Sequence, residues 1–144
     1  MPEPDLSAFD AATAVCPTAD DAVFEAAVHE LWTVGDKPNG GYLLALLGRA
    51  ARTVARRHGG QEWEVQSSAV TYLRPPDLAP ATVRTELLRQ GRSAAHVRAV
   101  LSQSGADLVD AVFVLSDLPA AAAARYDAVT PLRAPEPARC IRLP

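Results

Sequence analysis

One stretch of the sequence, residues 36–58, predicts a single long helix and constrains the fold more than any other segment. Pro38 ends whatever precedes it, and Asn39 is a residue type that favours the N-cap position. Apolar side chains then recur at helical spacing and form one stripe: Leu43, Leu46, Leu47, Ala50 and Val54. The Gly59-Gly60 pair predicts the end of the helix. A helix with one apolar stripe must be covered on that side, so the rest of the chain has to supply the cover.

The residues after the helix change to an extended pattern. Alternation and β-forming side chains predict four strands, over residues 62–73, 80–89, 93–102 and 108–116. A further strand is predicted before the helix, over residues 22–34. In the first strand after the helix, six alternate side chains are predicted to share one face: Trp63, Val65, Ser67, Ala69, Thr71 and Leu73. Short turns separate the last three strands, which predicts an antiparallel meander and an α+β domain whose curled sheet wraps the helix.

Length, charge and apolar runs argue against several classes of protein. A chain of 144 residues suffices for one domain, and its net charge of −3 suggests no nucleic-acid partner. The apolar runs are too short for a membrane span. The two cysteines, Cys16 and Cys140, lack metal-ligand spacing, which predicts free thiols in a reducing compartment and no metal site. We therefore expect a soluble cytoplasmic protein without a cofactor.

The end of the chain differs from the rest in composition. Residues 120–124 are a short run of helix-forming alanines. Several prolines then oppose regular structure: Pro131, Pro135, Pro137 and Pro144. We expect residues 1–118 to form one domain, and residues 119–144 to form a linker or an arm over a neighbour.

The start of the helix is the first candidate for a functional site. Gly40 and Gly41 have no side chains, so the first N–H groups of the helix are open to an incoming group. The helix dipole favours negative charge at this end, and a carbonyl oxygen that becomes an oxyanion fits that position. A glycine pair also forms a tight turn or allows close packing on a strand, and the motif alone favours that simpler interpretation.

Three longer motifs widen the argument. They are PNGGYLLALLGRAA at the helix start, SSAVTYLRPPD on the following strand and LLRQGRSAAHVRAVLSQ across the next hairpin. In this order and spacing they cover most of residues 34–116 and resemble the hotdog fold. More narrowly, they resemble the N-terminal repeat of TesB-like double-hotdog acyl-CoA thioesterases. The tail APEPARCIRLP is similar to the linker that leads into the second hotdog of such proteins.

The resemblance implies an enzyme that hydrolyses the thioester of acyl-CoA without a metal ion. It implies that Asn39, Gly40 and Gly41 lie beside the thioester carbonyl, and that arginine-bearing loops lie near the CoA phosphates. Complete proteins of this family carry a second repeat. The chain is therefore expected to be either a stand-alone half or a fragment.

Two departures from the family pattern bear on catalysis. Many single-hotdog thioesterases carry a carboxylate on the helix where this chain has Gly48, and no acid is nearby on the helix. In double-hotdog members, the residues that activate water belong mostly to the second repeat. Asp36 is the only carboxylate close to the helix start, and stabilisation of the helix dipole accounts for it more simply than a role as base. No Ser–His–Asp pattern is visible.

Five further residues are candidates for contacts with the substrate. Tyr42 lines an acyl tunnel or packs in the core, and Thr71 positions a water from the strand beside the helix. Arg74, before two prolines, and Arg92, in the turn after Gln90-Gly91, are candidate phosphate ligands through charge-assisted hydrogen bonds. Ser93 is included with Arg92 because it lies in the same turn.

These observations leave three hypotheses for function. The first is an acyl-CoA thioesterase, or its N-terminal hotdog half, in which a partner domain supplies the general base. The second is a non-catalytic hotdog that binds an acyl thioester or only completes a dimer. The third is a hotdog dehydratase, which the lack of a histidine near the glycine pair disfavours. We expect a homodimer, or pairing with a second hotdog domain, because a curled sheet leaves unpaired strand edges.

Overall fold

The computed structural model describes residues 6–59, 62–117, 130 and 133–141 of the chain. The elements up to the long helix are α1 (Leu6–Ala12), β1 (Cys16–Pro17), β2 (Val23–Ala27), a 3₁₀ turn (Glu30–Trp32), β3 (Thr33–Val34), β4 (Lys37–Pro38) and α2 (Gly40–Gly59). The strands after it are β5 (Glu64–Tyr72), β6 (Pro80–Gln90), β7 (Ala94–Gln103) and β8 (Ala106–Ser116). A second 3₁₀ turn covers Pro137–Arg139. The predicted helix-forming run at residues 120–124 lies outside the described residues.

One large antiparallel sheet carries the long helix. Its strand order is β1-β2-β6-β7-β8-β5, so β5 forms one edge although it directly follows α2 in the chain. The three strands β6, β7 and β8 form the predicted meander. α2 packs across β5, β6, β7 and β8. The predicted architecture, one long helix covered by an antiparallel sheet, is confirmed.

The core lies between the predicted stripe of α2 and alternate residues of the sheet. Leu46, Leu47 and Ala50 are fully buried on the helix. The opposing sheet residues are buried at every second position, as the alternation predicts: Val83, Thr85, Ala95, Val97, Ala99, Leu101, Val109, Ala111, Phe113 and Leu115. At roughly 1.5–3 kcal/mol for each large buried side chain, this burial accounts for most of what holds the helix on the sheet.

The strand predicted over residues 22–34 is wrong over residues 28–32. There β2 ends and the chain turns into the 3₁₀ turn, where His29 Nδ1 accepts a hydrogen bond from the N–H of Leu31. The cause lies in the helix. The hydroxyl of Tyr42 accepts from the N–H of His29 at 3.0 Å and lies 3.1 Å from the carbonyl oxygen of Ala27. These backbone groups bind a side chain instead of a neighbouring strand, so the strand cannot continue.

The predicted alternation in β5 is also wrong after Val65. Val65 is paired with Leu115 and Ser67 with Val114, so Gln66 is one extra residue on the β5 side. Such a β-bulge moves every later side chain to the opposite face of the sheet.

The bulge changes which β5 side chains face the helix. Ser68 and Tyr72 are paired with residues whose side chains point into the core. Thr71 is paired with Asp110, whose side chain lies on the outer face of the sheet. Thr71 is therefore on the face away from the helix, and the predicted face shared with Trp63 and Val65 is wrong, although its strand packs beside α2 as predicted.

Candidate functional site

The start of α2 is closed by its own cap. The side-chain oxygen Oδ1 of Asn39 accepts hydrogen bonds from the N–H of Gly41 at 2.8 Å and of Tyr42 at 3.2 Å. Asn39 is thus the N-cap, as predicted. The same contacts correct the prediction for Gly41, because its N–H already has an acceptor. Gly40 supplies the first-turn N–H that the cap does not use.

The cap fixes the orientation of the Asn39 amide. Only the oxygen of the amide group can accept from an N–H, so the atom on the other side is the NH₂ group. Asn39 is exposed, and its NH₂ group donates to none of the described residues. The helix start therefore presents a side-chain donor to solvent beside the positive end of the helix dipole.

The two glycines at the helix start have different surroundings. A Cβ atom at Gly40 would lie 3.0 Å from the ring and hydroxyl of Tyr72, so this glycine permits a close approach. The hydroxyl of Tyr72 donates to the carbonyl oxygen of Gly40 at 2.7 Å and ties β5 to the helix start. A Cβ atom at Gly41 would meet only the Asn39 side chain, at 3.2 Å. Close packing against Tyr72 thus explains Gly40, whereas the only close neighbour of Gly41 is the capping side chain of Asn39.

Tyr42 is placed in the core and not beside a ligand. Its side chain is 3% exposed, and its hydroxyl lies 2.8 Å from the carbonyl oxygen of Ala12. With the contacts to His29 and Ala27 described above, all of its hydrogen-bonding capacity is used. Burial raises the pKa of the Tyr42 phenol. The residue anchors the helix to α1 and β2, which argues against the predicted substrate contact.

A groove of about 430 Å³ runs along the exposed side of α2, between the helix and the edge strand β5. It begins at Gly41, and its lining is mostly apolar in the middle: Leu44, Ala45, Gly48, Val65 and Phe113. Ser68 adds a hydroxyl halfway along. Arg49, Arg52 and Glu64 line the far part. This α2–β5 groove has the length and polarity to hold a linear ligand with one end at the helix start.

The described lining residues of the groove include no side chain suited to act as a general base. At Gly48 a Cβ atom would be 3.6 Å from the Phe113 ring, so a side chain there is sterically possible but absent. Among the described lining residues the only carboxylate is Glu64, which is ion-paired with Arg52.

The loop arginines predicted as phosphate ligands lie at opposite ends of the domain. Arg74 follows Tyr72 and is near the helix start. Arg92 and Ser93 are exposed at the β6–β7 turn, next to Gln90, whose side chain reaches Gly59 at the other end of the helix. α2 has 20 residues and is thus roughly 30 Å long. The two arginines of one chain therefore do not form a common phosphate site.

Three arginines of α2 instead lie together. Arg49, Arg52 and Arg56 line a second cavity of about 240 Å³, which we call the arginine pocket. Each binds one carboxylate through a single Nη2 atom: Asp10 for Arg49, Glu64 for Arg52 and Glu62 for Arg56. The Nε atom of Arg52 is buried and has no hydrogen-bond partner among the described residues. The pocket and the groove share Arg49 and Arg52, so the two cavities are adjacent.

The outer face of the sheet carries arginines of a different kind. Arg84 Nη2 lies 3.0 and 3.1 Å from the two carboxylate oxygens of Asp107. Arg98 binds both carboxylate oxygens of Asp110 through Nε and Nη2. The hydrogen bond from Arg98 lowers the pKa of the Asp110 carboxyl, although partial burial opposes the shift. These pairs bridge strands and use their acceptors fully.

With this geometry in place, comparison with known families is decisive. Residues 28–116 match the family model of the acyl-CoA thioesterase N-terminal domain. The chain belongs to this family. The match spans the helix start, the α2–β5 groove and every strand of the meander.

Relatives of the chain agree with the family. An uncharacterized protein of Mycobacterium tuberculosis is 38% identical over 99 residues, which cover 66% of this chain and 33% of the relative. A solved structure from Thermobifida fusca, assigned as a thioesterase II, is 28% identical to this chain and superposes on it with a TM-score of 0.76. The match covers 88% of this chain and 45% of the Thermobifida fusca chain. A hot dog fold protein from Alicyclobacillus acidocaldarius is 25% identical with a TM-score of 0.72, and the match covers 91% of this chain and 47% of that protein. The predicted hotdog fold is confirmed, and the chain spans a third of the curated relative.

The described part of the chain contains neither a membrane-spanning helix nor a cluster of metal-binding side chains. No described helix is long and apolar enough to cross a membrane. No group of three or more histidine, cysteine, aspartate or glutamate side chains among the described residues is placed to hold a metal ion.

Sequence reasoning missed the residues that connect the site. Arg49, Arg52 and Arg56 recur along one helix face in the sequence, but basic residues toward the end of a helix are also expected from the helix dipole alone. Tyr72 gave no such signal, because its contact with Gly40 joins residues 32 positions apart. The roles of Asn39, Gly40 and Gly41 in catalysis remain predictions.

Proposed function

We propose that this chain is the N-terminal hotdog half of a TesB-like double-hotdog acyl-CoA thioesterase. It would hydrolyse an acyl thioester to a free acid and CoA. The family model supports the activity, and the solved relatives, of which the chain covers 45% and 47%, support a second repeat. We assign residues 1–118 to the hotdog domain and residues 119–144 to the segment that leads to the second repeat. The free thiols of Cys16 and Cys140 support a cytoplasmic location.

The observation that carries the proposal is the α2–β5 groove and its beginning at the helix start. A thioester carbonyl at this end of the groove lies beside the exposed NH₂ group of Asn39 and the N–H of Gly40. Both are hydrogen-bond donors at the positive end of the helix dipole. Donors directed at a developing oxyanion are usually the largest electrostatic contribution to acyl transfer.

The reaction follows from this placement. Water attacks the thioester carbonyl, and the carbonyl oxygen gains the negative charge that the Asn39 and Gly40 donors stabilise. The tetrahedral intermediate collapses, the C–S bond breaks, and the thiolate leaves and takes up a proton. The proton of the water goes to a general base. We assign that base to the hotdog unit that pairs with this one, either the second repeat or a second copy of the chain, because the only carboxylate among the described groove residues, Glu64, is ion-paired with Arg52.

The edge strand β5 is the best place for a second hotdog unit to bind. β5 is bonded only to β8, has nine residues and is largely exposed. An unpaired edge of this length invites pairing with another strand. A unit paired there also lies beside the groove, where its base can reach the thioester. Light scattering of the chain at high concentration would detect a homodimer in the absence of the second repeat, and a strictly monomeric chain would contradict it.

A second candidate function has one specific observation in its favour. The groove has no unpaired carboxylate among its described lining residues. A hotdog that binds an acyl thioester without hydrolysing it, or that only completes a dimer, is consistent with this. The two candidates differ in turnover.

The test is an assay of thiol release. The chain is incubated with acyl-CoAs of several chain lengths, beside a Gly41→Val variant. Gly41 has an ordinary backbone conformation, and a Cβ atom there would meet only the Asn39 side chain, at 3.2 Å. The variant is therefore expected to stay folded and to lose turnover, because its side chain obstructs the thioester site and shifts the Asn39 amide. Equal turnover by both proteins would contradict the site at the helix start. Substrate binding without turnover in the parent would support the non-catalytic alternative.

A further inference from the structure

We propose that the arginine pocket of α2 binds the phosphate at the end of a phosphopantetheine arm. The pantetheine part of the same arm then lies in the α2–β5 groove, with the thioester at the helix start. This inference rests on the proposed function, and it replaces the loop residues Arg74 and Arg92 as phosphate ligands. The chemical class of the ligand is a phosphate ester on a pantetheine thioester, which belongs either to CoA or to an acyl carrier protein.

The first argument is the concentration of positive charge. Arg49, Arg52 and Arg56 line one small cavity, and their spacing along the helix brings the three guanidinium groups to one face. The remaining described lining is small or neutral: Ala14, Val15 and Thr53. An arginine cluster is the usual protein partner of a phosphate, because the guanidinium group matches two oxygens at once.

The second argument is the number of donors that the ion pairs leave free. A guanidinium group has five N–H donors, and each of these three arginines binds its carboxylate through one nitrogen atom. Arg52 Nε is in addition buried without a hydrogen-bond partner among the described residues. A buried donor without a partner is unfavourable, and an incoming phosphate oxygen would remove that penalty.

The third argument is the weakness of the present partners. The side chains of Asp10, Glu62 and Glu64 are 67%, 82% and 47% exposed. An exposed ion pair contributes only about 0–1 kcal/mol, so these carboxylates can move into solvent at little cost when a phosphate arrives. They come from α1, from the segment before β5 and from β5 itself, and none of them bridges strands of the meander.

The fourth argument is the path between the two ends of the ligand. The groove and the arginine pocket are adjacent, because Arg49 and Arg52 line both. Arg52 lies roughly 16 Å along the helix axis from Gly41, at the rise per residue of an α-helix. An extended pantetheine arm spans such a distance. The apolar middle of the groove around Leu44 and Phe113, with the Ser68 hydroxyl, suits its methylene groups and its amides.

The experiment compares three ligands that differ in phosphate. The chain is titrated by calorimetry with pantetheine, with 4′-phosphopantetheine and with CoA. The test variant is Arg52→Gln combined with Arg56→Gln. The matched control is Arg57→Gln, which removes a charge from the same helix at a residue that is paired with Asp21 and lies outside the arginine pocket. Thermal melts check folding, and Arg56→Gln alone replaces the double variant if that one is unstable.

We expect the parent and Arg57→Gln to bind 4′-phosphopantetheine at least about tenfold more tightly than pantetheine. The double variant should lose this preference, and high salt should reduce it in the parent because exposed charges are screened. A further gain from 4′-phosphopantetheine to CoA identifies CoA as the source of the phosphate, whereas equal affinities identify a carrier protein. Equal binding of pantetheine and 4′-phosphopantetheine by the parent would overturn the proposal, as would an unchanged preference in the variant.

The outcome can be separated from that of the proposed function. If the parent releases thiol from acyl-CoA but the arginine variants keep the phosphate preference, the arginine pocket is refuted and the thioesterase stands. If no thioester is hydrolysed but the variants lose the preference, the phosphate site stands and the catalytic assignment fails.

Discussion

The helix face and the outer sheet face of this domain both carry arginines paired with acids, and the pairs differ in construction. On the helix face, Arg49, Arg52 and Arg56 each bind one carboxylate through a single nitrogen, and the partners come from separate segments. On the sheet face, Arg84 and Arg98 bind both oxygens of an aspartate held on β8. Each helix-face carboxylate is therefore held by one contact, whereas both oxygens of each sheet-face aspartate are bound.

The difference shows that an ion pair alone does not indicate its purpose. A bidentate pair between neighbouring strands holds side chains of the sheet together and leaves little for a ligand to gain. A single-contact pair with an exposed carboxylate contributes little to stability and leaves N–H groups available. Substitution of the paired arginines on the helix face should therefore change ligand binding, whereas substitution within the arginine–aspartate pairs on the sheet face should change how stability responds to pH.

The largest expected effect concerns neighbouring residues of β8 that point to opposite faces. Phe113 is 1% exposed and forms the floor of the α2–β5 groove, so Phe113→Ala should reduce the free energy of unfolding by about 3–5 kcal/mol. Val112 lies on the sheet face and is only partly buried, so Val112→Ala should cost about 1 kcal/mol or less. Urea unfolding measures both values. Equal losses would mean that the two faces do not differ in burial as described.

A smaller effect is expected at the end of β5, again with neighbouring residues on opposite faces. Tyr72→Phe removes the hydrogen bond to the carbonyl oxygen of Gly40 and should cost about 0.5–1.5 kcal/mol. Thr71→Val, on the sheet face, should change stability by less than about 0.5 kcal/mol. Thermal melts of the two variants test this. A larger loss for Thr71→Val would place Thr71 on the helix side after all and contradict the bulge.

The smallest effect is the pH dependence of the sheet face. The pKa of Asp110 is lowered in the folded protein, chiefly by the hydrogen bond from Arg98. Its contribution to stability is therefore fully present above its unfolded pKa of about 3.9 and is lost as the pH falls through the folded value. The titration of Asp110 falls roughly between pH 5 and pH 2. Over this range, the free energy of unfolding should fall less steeply in Asp110→Asn than in the parent. Unfolding curves across this range check the slope, and parallel profiles would refute the assignment.

Local signals in the sequence were enough for the helix and the meander. The cap at Asn39, the apolar stripe and Gly59 mark α2 within its own residues, and the alternation in β6 and β7 needs no distant partner.

The contacts that organise the site depend on distant parts of the chain. The bulge at Gln66 arises from pairing with β8, and it alone decides that Ser68 and Tyr72, instead of Thr71, face the helix. Whether the Gly41 N–H is open depends on the rotamer of Asn39, which no pattern of residue types determines.

The central claim is that Asn39 caps the helix with its side-chain oxygen and donates a hydrogen bond to the thioester carbonyl oxygen with its NH₂ group. Asn39→Asp tests it directly. Aspartate accepts the same two N–H bonds, and its charge suits the helix dipole, so the melting temperature should stay equal or rise. The variant also replaces the donor with an anionic oxygen beside the developing oxyanion, so thiol release from acyl-CoA should fall by about 100-fold or more. Full activity in a stable Asn39→Asp protein would contradict the account.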